Sequence, residues 1–182
     1  MKVKFFDWQL QFKSYEKEYL EIIHKTLSNG HYIMCDEHDE FEKEIAKFIG
    51  VKHAIGVSNG TESLLLCNKA IGLKENDEVI TVSHSFVATS AAIRFLGAKP
   101  VFVDILNDRC MDVSQVEGKI TSKTKAIVPV QLNGRVCSNM DKLVEISRKY
   151  SIPIIEDAAQ GLGAKYKGKM AGTFGLYGSI SF

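Results

Sequence analysis

Ile152-Pro153-Ile154-Ile155-Glu156-Asp157-Ala158-Ala159-Gln160 begins as an almost unbroken apolar run and ends in two acids, two alanines and an amide. An apolar run without alternation fits a strand covered on both faces, as in a parallel sheet. Acids at the C-terminal end of such a strand stand where open α/β sheets bind their ligands. Four further runs rich in valine and isoleucine precede it, at residues 53–58, 78–82, 100–105 and 126–132. Helix-period stretches lie between them. Phe41, Ile45 and Phe48 form one stripe, Leu64, Leu65, Leu66 and Ala70 crowd a second, and Leu143, Ile146 and Tyr150 form a third. Strands alternating with helices predict an α/β fold, a mainly parallel sheet flanked by helices.

The flanks read differently. Residues 1–30 form an N-terminal arm, a short extended piece followed by a helix over about 14–27, and 31–182 form the sheet domain. After Gln160 the chain becomes glycine-rich, which predicts short antiparallel strands and tight turns. It stops at Ser179-Ile180-Ser181-Phe182, within a predicted strand, so the domain is expected to be incomplete at its C-terminus.

Composition narrows the function classes. The chain has 182 residues, 45% hydrophobic and 25% charged, the profile of an ordinary globular protein. Its 23 Lys and Arg balance 22 Asp and Glu, so there is no basic field to hold a nucleic acid backbone. No apolar run is long enough to span a bilayer, and the charged start does not read as a signal peptide. Cys35, Cys67, Cys110 and Cys137 are scattered, without zinc-like spacing to the five histidines, and fit a reducing cytoplasm. No metal site is expected.

Three strand-to-helix junctions carry candidate chemistry. In Val57-Ser58-Asn59-Gly60-Thr61-Glu62-Ser63, helix N-terminal amides and the Thr61 hydroxyl could hold a phosphate, or Thr61 or Ser63 could simply cap the helix. The segment lacks the Gly-Lys-Ser/Thr ending of a P-loop and the glycine fingerprint of a dinucleotide fold. In 154–160, Asp157 could hold a protonated ring nitrogen with Gln160 reaching the same ligand, or Asp157 could cap a helix. In Val82-Ser83-His84-Ser85-Phe86-Val87-Ala88-Thr89, Phe86 could cover a flat ring or join the core, and His84 could be an acid or base.

Taken in order, these blocks resemble the DegT/DnrJ/EryC1/StrS family of sugar aminotransferases, which use pyridoxal 5′-phosphate and share the aspartate aminotransferase fold. The likeness runs through Gly50-Val51-Lys52-His53-Ala54, Ser58-Asn59-Gly60-Thr61-Glu62-Ser63-Leu64, Ser85-Phe86-Val87-Ala88-Thr89 and Gly97-Ala98-Lys99-Pro100-Val101-Phe102-Val103-Asp104. It is strongest at Ile155-Glu156-Asp157-Ala158-Ala159-Gln160 and continues through Tyr166-Lys167-Gly168 to Ser179-Ile180-Ser181-Phe182.

The resemblance implies a set of roles. Gly60, Thr61 and Ser181 would bind the cofactor phosphate, Phe86 and Ala159 would lie on opposite faces of the ring, Asp157 would pair with the ring nitrogen, and Gln160 would approach the phenolic oxygen. It further implies a homodimer with its active site at the interface, an amino donor, commonly glutamate, and a nucleotide-linked keto-sugar as acceptor for amino-sugar biosynthesis. Cys35, Ser63 and the 131–134 stretch depart from the family pattern, the last where a histidine is usual, with the substrate pocket as the expected place of effect. In the family, the lysine that carries the cofactor lies beyond the position of Phe182, and a small C-terminal domain follows. Lys165, Lys167 and Lys169 read as a solvated turn. Alternatives are a dehydratase of the same family, with histidine in place of that lysine, or a non-catalytic fragment.

Overall fold

The computed structural model describes residues 3–182, which divide into two compact units, one ending at Lys43 and the other running Glu44–Phe182. In the first, α1 (Trp8–Asn29) starts where the Asp7 carboxylate accepts from the Leu10 amide at 3.1 Å, and ends at Gly30 in the left-handed region. Nothing between Trp8 and Asn29 breaks a helix, so α1 starts before the expected position 14. It has no buried residue. The second helix, α2 (Asp36–Ile49), gathers Asp36, Glu37 and Asp39 at its positive end, and the division between the units falls within it.

The second unit is built on a parallel sheet. β1 (Glu78–Val82) pairs on one side with β2 (Lys99–Val103) and on the other with β3 (Thr124–Ile127). β4 (Ile155–Asp157) follows through parallel bridges Ile127–Ile154 and Val130–Asp157, and then pairs with β7 (Tyr177–Ser179). The order β2-β1-β3-β4-β7 reverses direction at β1, so the C-terminal ends of β1 and β3 flank a crevice. Helices α3 (Gly60–Ala70), α4 (Ala88–Phe95) and α5 (Met140–Tyr150) complete the layers.

Strand periodicity divides the core into two clusters. Ile80, Ile127 and Ile154 join Leu143 and Ile146 of α5 in one cluster, while their neighbours Val79, Ala126, Val128 and Ile155 join Ile93 of α4 in the other. This is why β1 and β4 read as continuous apolar runs. Residues 53–58, expected as a strand, are not one: Ile55 is 80% and Val57 42% exposed. An apolar run becomes a central strand only where neighbours cover both its faces, and Ile55 and Val57 lack that cover.

The glycine-rich end forms one antiparallel hairpin, β5 (Lys165–Tyr166) with β6 (Lys169–Met170), turned by Lys167 and Gly168 at φ 50° and 82°. β7, in contrast, runs parallel to β4, against the expectation of antiparallel strands throughout. Close approach dictates two glycines here: a Cβ on Gly178 would lie 2.2 Å from the Gly172 carbonyl, and one on Gly175 2.3 Å from that of Ile154. No helix among the described residues is long and apolar enough to cross a membrane.

The hairpin is tied to α5 by Asp141, which accepts from Lys167 Nζ at 2.6 Å and Tyr166 Oη at 2.9 Å. The lysine above all, then the tyrosine, holds the Asp141 carboxyl down at about 2, against an ordinary 3.8. A depressed carboxylate stabilises the fold above its unfolded value, and that contribution disappears as pH falls from 3.8 towards 2. Lys167→Met should return the Asp141 titration, followed by carboxyl carbon NMR, towards 3.8. Because the pair is exposed, added salt should move the wild type the same way. A titration unaltered by either change would exclude the ion pair as the cause.

Candidate active site

At the reversal point the ends of β1 and β4, the start of α3 and the segment after β7 enclose a cleft of about 260 Å³. Gly60, Thr61, Phe86, Asp157, Ala159, Gln160 and Ser181, distant in sequence, all line it.

One end of it is the N-terminus of α3. Asn59 caps the helix, its side chain accepting from the Glu62 amide at 2.9 Å. Capping by Thr61 or Ser63 is thereby excluded, and the Thr61 hydroxyl is not consumed by the helix. The amides of Gly60 and Thr61 precede any intrahelical acceptor. Ser181 closes the other side: a Cβ on Gly60 would meet Ser181 Cβ at 3.2 Å and Oγ at 3.4 Å. A side chain at position 60 would fit only if Ser181 gave way by a few tenths of an ångström.

Deeper in, Asp157 is 5% exposed. Its Oδ2 accepts from Thr89 Oγ1 at 2.6 Å, and its Oδ1 from the Ala159 amide at 3.3 Å. Burial pushes its carboxyl up, and those two hydrogen bonds only partly pull it back. No side-chain cation pairs with it among the described residues. A buried carboxylate lacking a cation either takes up a proton or pairs with a ligand that brings a positive charge.

Above Asp157, Phe86 leaves a ring 71% exposed at the cleft, a flat apolar face without cover. Gln160 accepts from the Asn133 amide at 3.1 Å through Oε1, and its backbone carbonyl accepts from Gly134 at 2.8 Å. With its oxygen engaged, the Gln160 side chain has its NH2 group left to donate to a ligand.

The two adjacent acids divide their work. Glu156, on the opposite face of β4, is fully buried and accepts from Gln131 Nε2 (2.8 Å) and from the amides of Gly172 (2.9 Å), Phe174 (2.5 Å) and Gly175 (3.1 Å). It clamps the loop before β7. Gln131 is also fully buried and accepts from the Cys137 amide, so it belongs to this clamp and does not line the cleft. Within the departing 131–134 stretch, Gln131 therefore acts on the scaffold, and the expected effect on a substrate pocket falls to Leu132, which does line the cleft.

No lysine lines the cleft: Lys167 is held by Asp141, and Lys169 lies over the Phe174 ring at 4.8 Å. His84 does not line it either. Elsewhere, His38, Asp39 and Glu42 bring one potential ligand atom each within 4.8 Å of one another at the start of α2, where acids suit the helix dipole. The residue that sequence reasoning passed over is Thr89. Its signal was two hydroxyls, Ser85 and Thr89, four apart at a helix start.

The DegT/DnrJ/EryC1/StrS aminotransferase family matches residues 13–182. The chain is 43% identical over 162 residues, 88% of its length, to UDP-2-acetamido-2-deoxy-3-oxo-D-glucuronate aminotransferase of Pseudomonas aeruginosa. It is also 43% identical over 171 residues, 92% of its length, to GDP-perosamine synthase of Escherichia coli O157:H7. It spans about half the length of these curated relatives, 45% of each. Among solved structures, a DegT DnrJ EryC1 StrS aminotransferase from Brucella abortus superposes with a TM-score of 0.93 at 34% identity, over 97% of this chain and 49% of that one.

Proposed function

Because the chain belongs to the DegT/DnrJ/EryC1/StrS aminotransferase family, we propose that it forms the cofactor-binding part of a pyridoxal-phosphate enzyme that aminates a nucleotide-linked keto-sugar. The observation that carries this reading is the buried Asp157, which has no cation partner and shares its cleft with a helix N-terminus whose amides are free. A ligand with a cationic ring at one end and a phosphate at the other meets both demands.

The residues fit that ligand. Gly60 and Thr61 present their amides and the Thr61 hydroxyl to the phosphate, with the Ser181 hydroxyl opposite. Phe86 covers one face of the ring and Ala159 the other. Gln160 donates from its NH2 group to the phenolic oxygen. Asp157 holds the proton on the ring nitrogen, in a site dry enough for the pairing to matter. Bound pyridoxal phosphate supplies an electron sink, and its capacity depends on that proton staying in place.

The relatives named above are an aminotransferase of a UDP-linked sugar and a synthase of a GDP-linked one, which supports a nucleotide-sugar acceptor; the amino donor we propose is glutamate. We further propose a homodimeric, cytoplasmic enzyme. α1 leaves Leu20, Ile23 and Leu27 more than half exposed, an apolar surface that a second copy would cover, and all four cysteines are free thiols.

Two measurements test this reading. Dialysis of the chain against pyridoxamine phosphate should show saturable binding of one ligand per chain; no binding, or binding indifferent to Asp157→Asn, would remove the cofactor assignment. The enzyme that contains this chain should convert glutamate and a nucleotide-linked keto-sugar to 2-oxoglutarate and the amino sugar. The phosphate end gives a separate prediction. Thr61→Ala should weaken cofactor retention roughly ten- to a hundredfold, the worth of one charge-assisted hydrogen bond of about 1.5–3 kcal/mol. The melting temperature should stay unchanged, because Asn59 and not Thr61 caps α3.

A further inference from the structure

Thr89 is 2% exposed, in the first turn of α4, and its hydroxyl has more neighbours than one proton can serve. Oγ1 lies 2.6 Å from Asp157 Oδ2, 2.7 Å from Ser85 Oγ and 3.2 Å from the Phe86 carbonyl oxygen. Asp157 Oδ2, when ionised, and the Phe86 carbonyl can only accept. The shortest contact therefore takes the Thr89 proton, and Ser85 donates to Thr89 Oγ1. Protonating Asp157 reverses the order: the acid donates to Thr89 Oγ1, and the Thr89 proton turns to the Phe86 carbonyl. The hydroxyl thus links the charge of the carboxylate to the turn that carries the Phe86 ring.

We propose that Thr89 is a positioning residue for the cofactor ring, its hydroxyl fixing the orientation and the ionised state of Asp157 and joining that carboxylate to the Ser85–Phe86 turn. The proposal rests on the reading of the cleft as a pyridoxal-phosphate site. It deepens that reading by setting the ring-nitrogen partner and the stacking face through one shared group. The surroundings leave Thr89 this role. From Asp157's own segment comes only the Ala159 amide, and from α4 the Thr89 hydroxyl. Glu156, next to Asp157 in sequence, is turned to the 172–175 loop, and no charged side chain of α3, α4 or β7 acts on the carboxyl.

The test uses the chain first without cofactor. Thr89→Val keeps the side-chain volume and removes the hydroxyl. It should raise the Asp157 titration, followed by carboxyl carbon NMR, by about 1–2 pH units, the equivalent of one hydrogen bond to a charged group. Thr89→Ser, which keeps the hydroxyl, should restore the wild-type value. Ser85→Ala should shift it the same way by a smaller amount, and serves if the valine variant does not fold. With labelled pyridoxamine phosphate bound, the ring nitrogen-15 signal of Thr89→Val should move towards that of a neutral pyridine. An unmoved Asp157 titration in both Thr89→Val and Ser85→Ala would overturn the proposal, as would a serine variant that behaves like valine. Failure of the cofactor reading shows separately, as binding indifferent to Asp157→Asn.

Discussion

Asp157→Asn should leave the cofactor-free chain folded and slightly more stable at neutral pH, while weakening cofactor retention by about ten- to a hundredfold and nearly abolishing turnover in the enzyme that contains it. The stability half follows from linkage. Burial raises the carboxyl of Asp157 above its ordinary 3.8, so between those two values the folded state binds more protons than the unfolded one, and stability falls as pH rises. The penalty is absent below 3.8 and complete above the raised value. Asparagine has no charge to bury, and its amide can still meet the Thr89 hydroxyl, which accepts as readily as it donates. The melting temperature of the variant should therefore equal or exceed the wild type at pH 7, with the gap closing towards pH 3–4. The functional half runs the other way. A hydrogen bond to a charged partner is worth about 1.5–3 kcal/mol, and losing it releases the ring proton on which the electron sink depends. A residue that weakens the fold and strengthens the ligand is one kept for the ligand. A variant that melts lower at pH 7 and binds normally would make Asp157 a structural residue.

Much of this site was legible in the sequence, for physical reasons. A glycine-polar junction announces a helix start with free amides, and α3 does begin at Gly60; a buried strand ending in acids announces the C-terminal edge of a parallel sheet. What was not legible depends on partners remote in sequence. The cap was expected at Thr61 or Ser63 and is Asn59: all three carry a suitable oxygen, and the approach of the Glu62 amide selects the residue that sequence reasoning left out. The 131–134 stretch suggested an altered pocket because sequence gives no side-chain direction; at the start of the short 3-10 turn Leu132–Gly134, Gln131 turns to the buried clamp and Leu132 lines the cleft. Strand alternation within β4 separates Glu156 from Asp157, which as letters are equivalent acids. The expected strand at 53–58 failed on composition alone, because apolar residues do not reveal whether neighbours will cover them.

The second large effect falls on Glu156. Replacing it with leucine, close in volume, takes the acceptor from the backbone amides of Gly172, Phe174 and Gly175 and leaves the Gln131 amide only its weak contact with Met140 Sδ. Each orphaned buried donor costs about 1–3 kcal/mol. Even with partial relaxation the loss should reach on the order of 3–5 kcal/mol, a large share of the roughly 5–15 kcal/mol that holds a domain together. Urea unfolding should show the midpoint falling accordingly. Glu156→Gln should lie between: its carbonyl can still serve Phe174 and Gly175, but its NH2 group then faces the Gly172 amide, donor against donor. Amide exchange locates the damage. Protection should fall first at residues 172, 174 and 175, and with it the placing of β7, where Ser179 Oγ donates to the Gly60 carbonyl at 3.4 Å and Ser181 follows. The glutamine variant should therefore retain pyridoxamine phosphate poorly although Glu156 does not line the cleft. Unfolding and exchange close to wild type in Glu156→Leu would mean that the loop before β7 is held by its packing and glycine contacts, and that the four hydrogen bonds to Glu156 follow from that geometry without causing it.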